Sequence, residues 1–332
     1  MSTYPIAPDL ERPSTLDTRD MLIWEVQRGL LERPRSLAPW MFYDARGSCI
    51  FEQITEVPEY YPTRTERNIL ASCCDAIISA ACPAKGEALR LVELGAGTAR
   101  KTTILLEAAA RLRNEVLYAP MDVSSDALDI ACETIATLLP EVCVSPIVAN
   151  YVTDPPELEL FDGTTLGLYI GSSIGNFTPQ EARTILRNLR SQLQAGDALL
   201  LGVDMVKDEP TLVAAYDDRD GVTAEFNLNL LHRLNRELDA DFDLASFRHR
   251  AVWNAEQSRI EMHLESTRDQ RVRIPGADLE VHFAKYERIH TENSHKFTKA
   301  TIRNLLCDAG FEVEQMWSDE RGWYSVTLAR IL

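Results

Sequence analysis

The chain has 332 residues, enough for two domains that each bury a core. Hydrophobic side chains make up 45% and charged ones 26%, the composition of an ordinary globular protein, and no run approaches the ~20 apolar residues of a membrane span. Acidic residues outnumber basic ones 51 to 34, and the net charge of −17 repels nucleic-acid phosphates and acidic membrane surfaces, so neither is an expected partner.

The opening stretch, "MSTYPIAPDLERPSTLD", has no basic n-region and no apolar h-region, and the expected location is cytoplasmic. Residues 40–66, "WMFYDARGSCIFEQITEVPEYYPTRTE", are aromatic and turn-rich. From residue 88 the pattern becomes regular. "ALRLVEL" (88–94) reads as a buried strand and "KTTILLEAAARL" as the helix after it; "EVLYAPMDV" (115–123) is a second strand, followed by the helix "SSDALDIACETIATLL". "VCVSPIVAN" (142–150) is a third strand, "TLGLYIGSS" (165–173) a fourth, "QEARTILRNLRSQL" a helix and "DALLLGVDM" (197–205) a fifth strand. Apolar strands alternating with amphipathic helices predict an α/β fold, a parallel sheet covered on both faces.

Beyond Met205 the style changes. "TLVAAYDD" and "GVTAEFNLNLLHRLNRELDADFD" are helical, and residues 250–283 alternate apolar with polar residues as antiparallel strands do, which predicts a second, α+β module inserted in the first. "TKATIRNLLCDAGF" then gives a helix and "EVEQMWSDERGWYSVTLARI" a hairpin, expected to complete the sheet begun at residue 88. The expected organisation is a substrate-binding module, residues 14–62 and 206–292, beside a Rossmann-like domain, residues 63–205 and 293–332.

The seven cysteines, Cys49, Cys73, Cys74, Cys82, Cys132, Cys143 and Cys307, are odd in number and lack C-x-x-C spacing; they read as reduced, mostly buried thiols rather than disulfides or zinc ligands. The six histidines show no paired metal spacing, and no metal is expected.

In "VELGAGTARK" (92–101), Gly95 and Gly97 make a strand-to-helix turn where backbone can approach a ligand, and Asp122, ending the next strand, is placed to accept from two ribose hydroxyls. A dinucleotide fingerprint wants glycine where the chain has Arg100, so Glu93 and Asp122 around "GAG" look instead like the S-adenosylmethionine site of a class I methyltransferase. Lys101 closes that motif, and Asn150 with Tyr151 stands at the adenine position, one as acceptor and the other as the packing ring. Tyr43, Tyr60, Tyr61, Tyr216 and Asn176 are polar-tipped groups suited to the carboxylate and amine of an amino acid. Glu292 and Ser294 stand two apart on an extended segment and point the same way, so they fit the two nitrogens of an imidazole. An NAD-dependent oxidoreductase and a noncatalytic S-adenosylmethionine sensor stay open as other uses of the same turn.

Through "FYDARGSCIFEQIT", "PEYYPTRTE", "VELGAGT", "GSSIGN", "AYDDRDGVTAEFN", "NRELDADFDL", "RIEM" and "KF", the chain resembles, over nearly its whole length, the histidine-specific, S-adenosylmethionine-dependent Nα-methyltransferases of ergothioneine biosynthesis. The resemblance implies a class I methyltransferase sheet and trimethylation of L-histidine to hercynine; the expected partner is this small molecule, bound by a monomer. It implies that Tyr60, Asn176 and Tyr216 engage the α-carboxylate and amine, that Gly171 offers a carbonyl near the amine, and that Tyr43 stands beside the methylated nitrogen. Glu292 and Ser294 match the imidazole-reading pair and Met262 a pocket wall. Asn150 is a departure, since the family often has Asp there. A related branch methylates tryptophan-derived amines, and a chain of that branch should lack the Glu/Ser pair.

Overall fold

The computed structural model describes residues 18–83, 87–151 and 157–332. Residues 14–17 of the expected substrate module lie outside them. In chain order the elements are α1 (Thr18–Leu31), β1 (Arg35–Ser36), α2 (Ala45–Glu56), α3 (Tyr61–Ala81), β2 (Leu89–Leu94), α4 (Thr102–Leu112), β3 (Val116–Asp122), α5 (Ser125–Leu138), β4 (Cys143–Val144), β5 (Ile147–Val148), β6 (Thr164–Tyr169) and α6 (Pro179–Gln192). They continue with β7 (Ala198–Asp204), α7 (Glu209–Ala214), α8 (Val222–Glu237), β8 (Phe247–Asn254), β9 (Arg259–Ser266), β10 (Gln270–Ile274), β11 (Leu279–Phe283), β12 (Arg288–His295), α9 (Lys299–Asp308), β13 (Phe311–Ser318) and β14 (Tyr324–Ile331).

Two compact units result. The first holds the described residues up to Tyr60 with Asp208–Asn293, and the second holds Tyr61–Lys207 with Ser294–Leu332.

In the second unit the sheet order is β13-β14-β7-β6-β2-β3-β4, with β5 also on β3. β2, β3, β6 and β7 pair in parallel, and β14 enters antiparallel between β7 and β13, so the C-terminal hairpin completes the sheet as the sequence predicts. β2, β6 and β7 are buried along their whole length, which is why they read as continuous apolar runs. Leu91, Tyr118, Leu168 and Leu200 pack on one side with Leu70 and Leu105 of α3 and α4, while Val92, Met121, Leu199 and Leu201 pack on the other with Ile185 and Ile302 of α6 and α9. α6 starts on a capping box, in which Thr178 and Glu181 satisfy each other's backbone N–H groups.

The predicted third strand is instead two short pieces, because Pro146 supplies no N–H for the ladder between them. α3, for which the sequence reading gives no element, fills 21 residues. The helix "GVTAEFNLNLLHRLNRELDADFD" stops at Glu237 because Asp239 turns left-handed (φ +53°) and Asn235 binds both the N–H and the carbonyl of Phe242. The cysteines are reduced, but only Cys82 is buried, while Cys49, Cys143 and Cys307 are exposed, which corrects the expectation of mostly buried thiols.

The first unit carries the antiparallel pair β8 and β9 in a four-stranded sheet of order β1-β12-β9-β8, with the hairpin of β10 and β11 beside it. α8 packs on β8 and β9, and α2 on α8. Among the described residues, no helix is long and apolar enough to cross a membrane and no group of side chains could hold a metal ion.

Candidate active site

Strand order in the second unit reverses at β2, whose neighbours are β3 on one side and β6 on the other. The helix connections leave opposite faces there, opening a crevice beyond the carboxyl ends of the strands. The turn after β2 lines it. Gly95 (φ +69°), Gly97 (φ +52°) and Ala99 (φ +55°) all lie in the left-handed region, and a Cβ built on Gly97 would meet nothing within 4 Å, so the backbone there is open to a ligand. Gly97 N–H donates to Asp122 Oδ2 at 2.9 Å, which ties the ends of β2 and β3 together.

Glu93 is 2% exposed and faces inward. Both its oxygens accept from Thr102 Oγ1, at 2.8 and 2.7 Å, and Tyr118 donates to it as well. Burial pushes its carboxyl up to about 7, against the pull of those hydrogen bonds. The residue therefore braces the turn and the start of α4. Tyr151 is half-buried, edge-on to Tyr169 at 5.8 Å, and its hydroxyl would stand 3.2 Å from a Cβ on Gly95; Asn150 beside it is half-buried too. Burial raises the Tyr151 phenol to about 12, so it remains a neutral ring.

The segment after β6 supplies the other wall. Gly171 (φ +85°) and Ser172 (φ +61°) reverse the chain into a short 3-10 turn, Ser173–Asn176, that ends on half-buried Asn176. Position 175 must be glycine, since a Cβ there would meet the His295 carbonyl at 2.8 Å. The turn carrying Asn176 thus lies directly against the end of β12, where Ser294 stands.

Behind this contact is a charged core. Lys296 Nζ, fully buried, donates to Ser294 Oγ at 2.8 Å and pairs with Asp204 at 2.8 Å. Asp204 also accepts from Tyr61 Oη at 2.8 Å and Lys207 Nζ at 2.6 Å, and its own N–H donates to Ser172 Oγ at 3.0 Å. Burial lowers the Lys207 ammonium to about 8, with the charge of Lys296 adding to the effect and Asp204 opposing it. A second run begins at Lys101, whose Nζ reaches the buried Glu66 carboxylate at 2.5 Å; the same carboxylate accepts from Gly171 N–H at 2.8 Å.

In the first unit, three of the predicted tyrosines are joined by aromatic contacts. Tyr43 is edge-on to Phe51 and Phe226, both at 5.9 Å; Phe51 meets Tyr60 at 6.5 Å, and Tyr60 meets Tyr216 at 6.0 Å. Asp44, helix cap of α2, and Asp218, which accepts from the first N–H groups of α8, fix the segments on which Tyr43 and Tyr216 ride. Asn227 donates to His249 Nδ1 at 2.8 Å, so the ring proton sits on Nε2 and bonds the Tyr216 carbonyl at 2.8 Å. Met262 is 2% exposed on β9. Glu292, on β12, is 7% exposed, which excludes a solvated surface charge. His290 and His263 stack edge-on at 5.1 Å beside Glu261, as packing residues.

Phe51, Phe226, Glu66, Asp204, Lys207 and Lys296 are the residues that sequence reading leaves without a role. Phe51 lies inside "FYDARGSCIFEQIT", Phe226 inside "AYDDRDGVTAEFN", Glu66 ends "PEYYPTRTE" and Lys296 opens "KF", so their motifs carried the signal; Asp204 had none beyond being a charge at a strand end. Tyr61 is drawn into the Asp204 cluster and serves that charge rather than the aromatic group.

Residues 22–331 match the profile of the family described as histidine-specific methyltransferase, SAM-dependent. Over 305 residues, 92% of this chain and 93% of the relative, the sequence is 43% identical to the histidine N-alpha-methyltransferase of Mycolicibacterium smegmatis. It is 41% identical to that of Mycobacterium tuberculosis over the same shares. Ergothioneine biosynthesis protein 1 of Neurospora crassa is 29% identical over 306 residues, covering 90% of this chain and 34% of that longer protein. With the glycine turn, the strand-end acid and this match over nearly the full length, the chain belongs to the histidine-specific, S-adenosylmethionine-dependent methyltransferases.

Proposed function

We propose that the protein transfers three methyl groups from S-adenosylmethionine to the α-amino nitrogen of L-histidine, giving hercynine and three molecules of S-adenosylhomocysteine, the first step of ergothioneine biosynthesis. The observation that carries the reading is the pairing of an open glycine turn at Gly95 and Gly97 with a second turn, at Gly171 to Asn176, packed against the strand end bearing Ser294. One wall suits a nucleoside sulfonium and the other an amino acid.

In this reading Gly95, Gly97, Asp122, Asn150 and Tyr151 hold the nucleoside, Lys101 the methionine carboxylate, and Glu93 braces the turn. S-adenosylmethionine supplies an electrophilic methyl on a sulfonium. Tyr60, Asn176 and Tyr216 engage the carboxylate and amine of histidine, and Met262, Glu292 and Ser294 surround its imidazole. The amine lone pair forms the N–C bond as the C–S bond breaks and its electron pair returns to sulfur. A proton leaves the nitrogen before each addition, to Tyr43 or water, and the third product is a quaternary cation. Tyrosine faces and the Gly171 carbonyl tolerate that growing positive charge. Alignment supplies most of the rate, for which orientation effects of about 7–11 kcal/mol are available.

The expected organisation follows, with residues 14–62 and 206–292 serving the amino acid and residues 63–205 and 293–332 the methyl donor. The same reading makes the protein a cytoplasmic monomer with no nucleic-acid or membrane partner, in keeping with its charge of −17.

The test is incubation of the purified protein with S-adenosylmethionine and an equal mixture of amino acids, followed by mass spectrometry. Three methyls on histidine alone are expected. Methyls on tryptophan would overturn the roles given to Glu292 and Ser294, and no methylation would overturn the enzyme.

A further inference from the structure

Glu66 of α3 is fully buried, and the reaction described above gives it nothing to do. Its Oε1 accepts from Gly171 N–H at 2.8 Å and from Tyr324 Oη at 2.7 Å, and its Oε2 accepts from Lys101 Nζ at 2.5 Å. Space for it exists because position 202 is glycine; a Cβ there would come within 2.1 Å of Oε1. A buried carboxylate costs several kcal/mol of desolvation and is a poor choice where only packing is needed. Here it gathers donors from three separate segments: the start of α4, the turn after β6 and the first residue of β14. Two of those, Lys101 and Gly171, stand on opposite sides of the crevice where the sheet order reverses.

We propose that Glu66 is a positioning residue for methyl transfer, a clamp that fixes the ammonium of Lys101 and the peptide of Gly171 in one geometry before ligands arrive. This rests on the function proposed above, in which Lys101 serves the methyl donor and Gly171 the amine. Ordering a free lysine side chain costs conformational entropy, and the clamp removes that cost from binding. An ammonium has three donors. Glu66 takes one, and the Lys101 side chain, 25% exposed, keeps a face toward solvent from which a ligand carboxylate can reach it. Holding the N–H of Gly171 anchors the peptide that enters the left-handed turn at Gly171 and Ser172, on which the Gly171 carbonyl is carried.

The test compares Glu66→Gln with Glu66→Asp. Glutamine keeps the shape and can accept from Gly171 and Tyr324, but its amide turns a donor toward Lys101 and releases it; aspartate keeps the charge on a shorter stem. Binding of S-adenosylhomocysteine by calorimetry and kcat with histidine are measured for both and for the wild type. The clamp predicts that Glu66→Gln weakens binding and lowers kcat at least about tenfold, and that Glu66→Asp recovers part of both. A purely structural carboxylate predicts the reverse ranking, with the isosteric glutamine better than aspartate, and that result, or wild-type binding and kcat in Glu66→Gln, overturns the clamp. A wild type that binds S-adenosylhomocysteine but leaves histidine unmethylated overturns the proposed function instead, and weakened binding in Glu66→Gln would then still uphold the hold on Lys101.

Discussion

Lys296 Nζ donates to Ser294 Oγ at 2.8 Å while pairing with Asp204 at 2.8 Å, both charges being buried. An ammonium at this distance occupies a lone pair of the hydroxyl and turns its proton away from the cation. Ser294 is thereby oriented as a donor, and under the proposed function it would meet an unprotonated imidazole nitrogen while Glu292 accepts from the N–H on the other side. Lys296→Met is expected to raise the KM for histidine about tenfold, the loss of one well-placed hydrogen bond, and to leave the KM for S-adenosylmethionine within about twofold. Steady-state kinetics with each substrate varied in turn checks this, and equal changes in both KM values would contradict it.

In the proposed function Glu292 carries the other half of imidazole recognition. Glu292→Ala leaves a ligand N–H without its acceptor, a loss of about 1–3 kcal/mol, so histidine should bind roughly 5- to 150-fold more weakly. Tryptophan, whose ring N–H sits at a different place on a bulkier indole, should lose much less. Calorimetric titration with both amino acids decides, and unchanged histidine affinity would refute the assignment.

The proposed function puts Asn150 at the adenine contact as a neutral acceptor. Asn150→Asp introduces an anionic acceptor, and charge-assisted hydrogen bonds are roughly twice as strong as neutral ones. S-adenosylhomocysteine should bind a few-fold tighter to the variant with its histidine KM unchanged. Equal or weaker binding would remove residue 150 from the adenine contact.

His263 is expected to contribute to acid sensitivity, alongside His249 and His290, whose imidazoles burial also lowers. Burial, helped by the charge of His290 and opposed by Glu261, lowers its imidazole to about 4 from an ordinary 6.5. Between those two values the unfolded chain binds a proton that the folded chain does not, so stability is fully present above pH 6.5 and falls as the pH drops toward 4. The loss amounts to about 3 kcal/mol across the window. Urea unfolding at pH 7.5 and pH 5 should show the drop in the wild type and a shallower one in His263→Gln; identical slopes would exclude His263 as its source.

Much of the protein was legible in one dimension. Continuous apolar runs gave the central strands, since a strand covered on both faces has no polar side to show, and the glycines marked the turn after β2 because a tight turn depends on neighbours a few residues away. The family motifs nominated Tyr43, Tyr60, Asn176, Tyr216, Met262, Glu292 and Ser294 as the residues to test. Tertiary structure alone decided what stands behind them. Glu66, Lys101, Gly171 and Tyr324 are scattered over more than 250 positions, and Asp204 meets Lys296 from a different strand. A buried charge is chosen for the donors that surround it in space, and no local periodicity records which distant segments will deliver them.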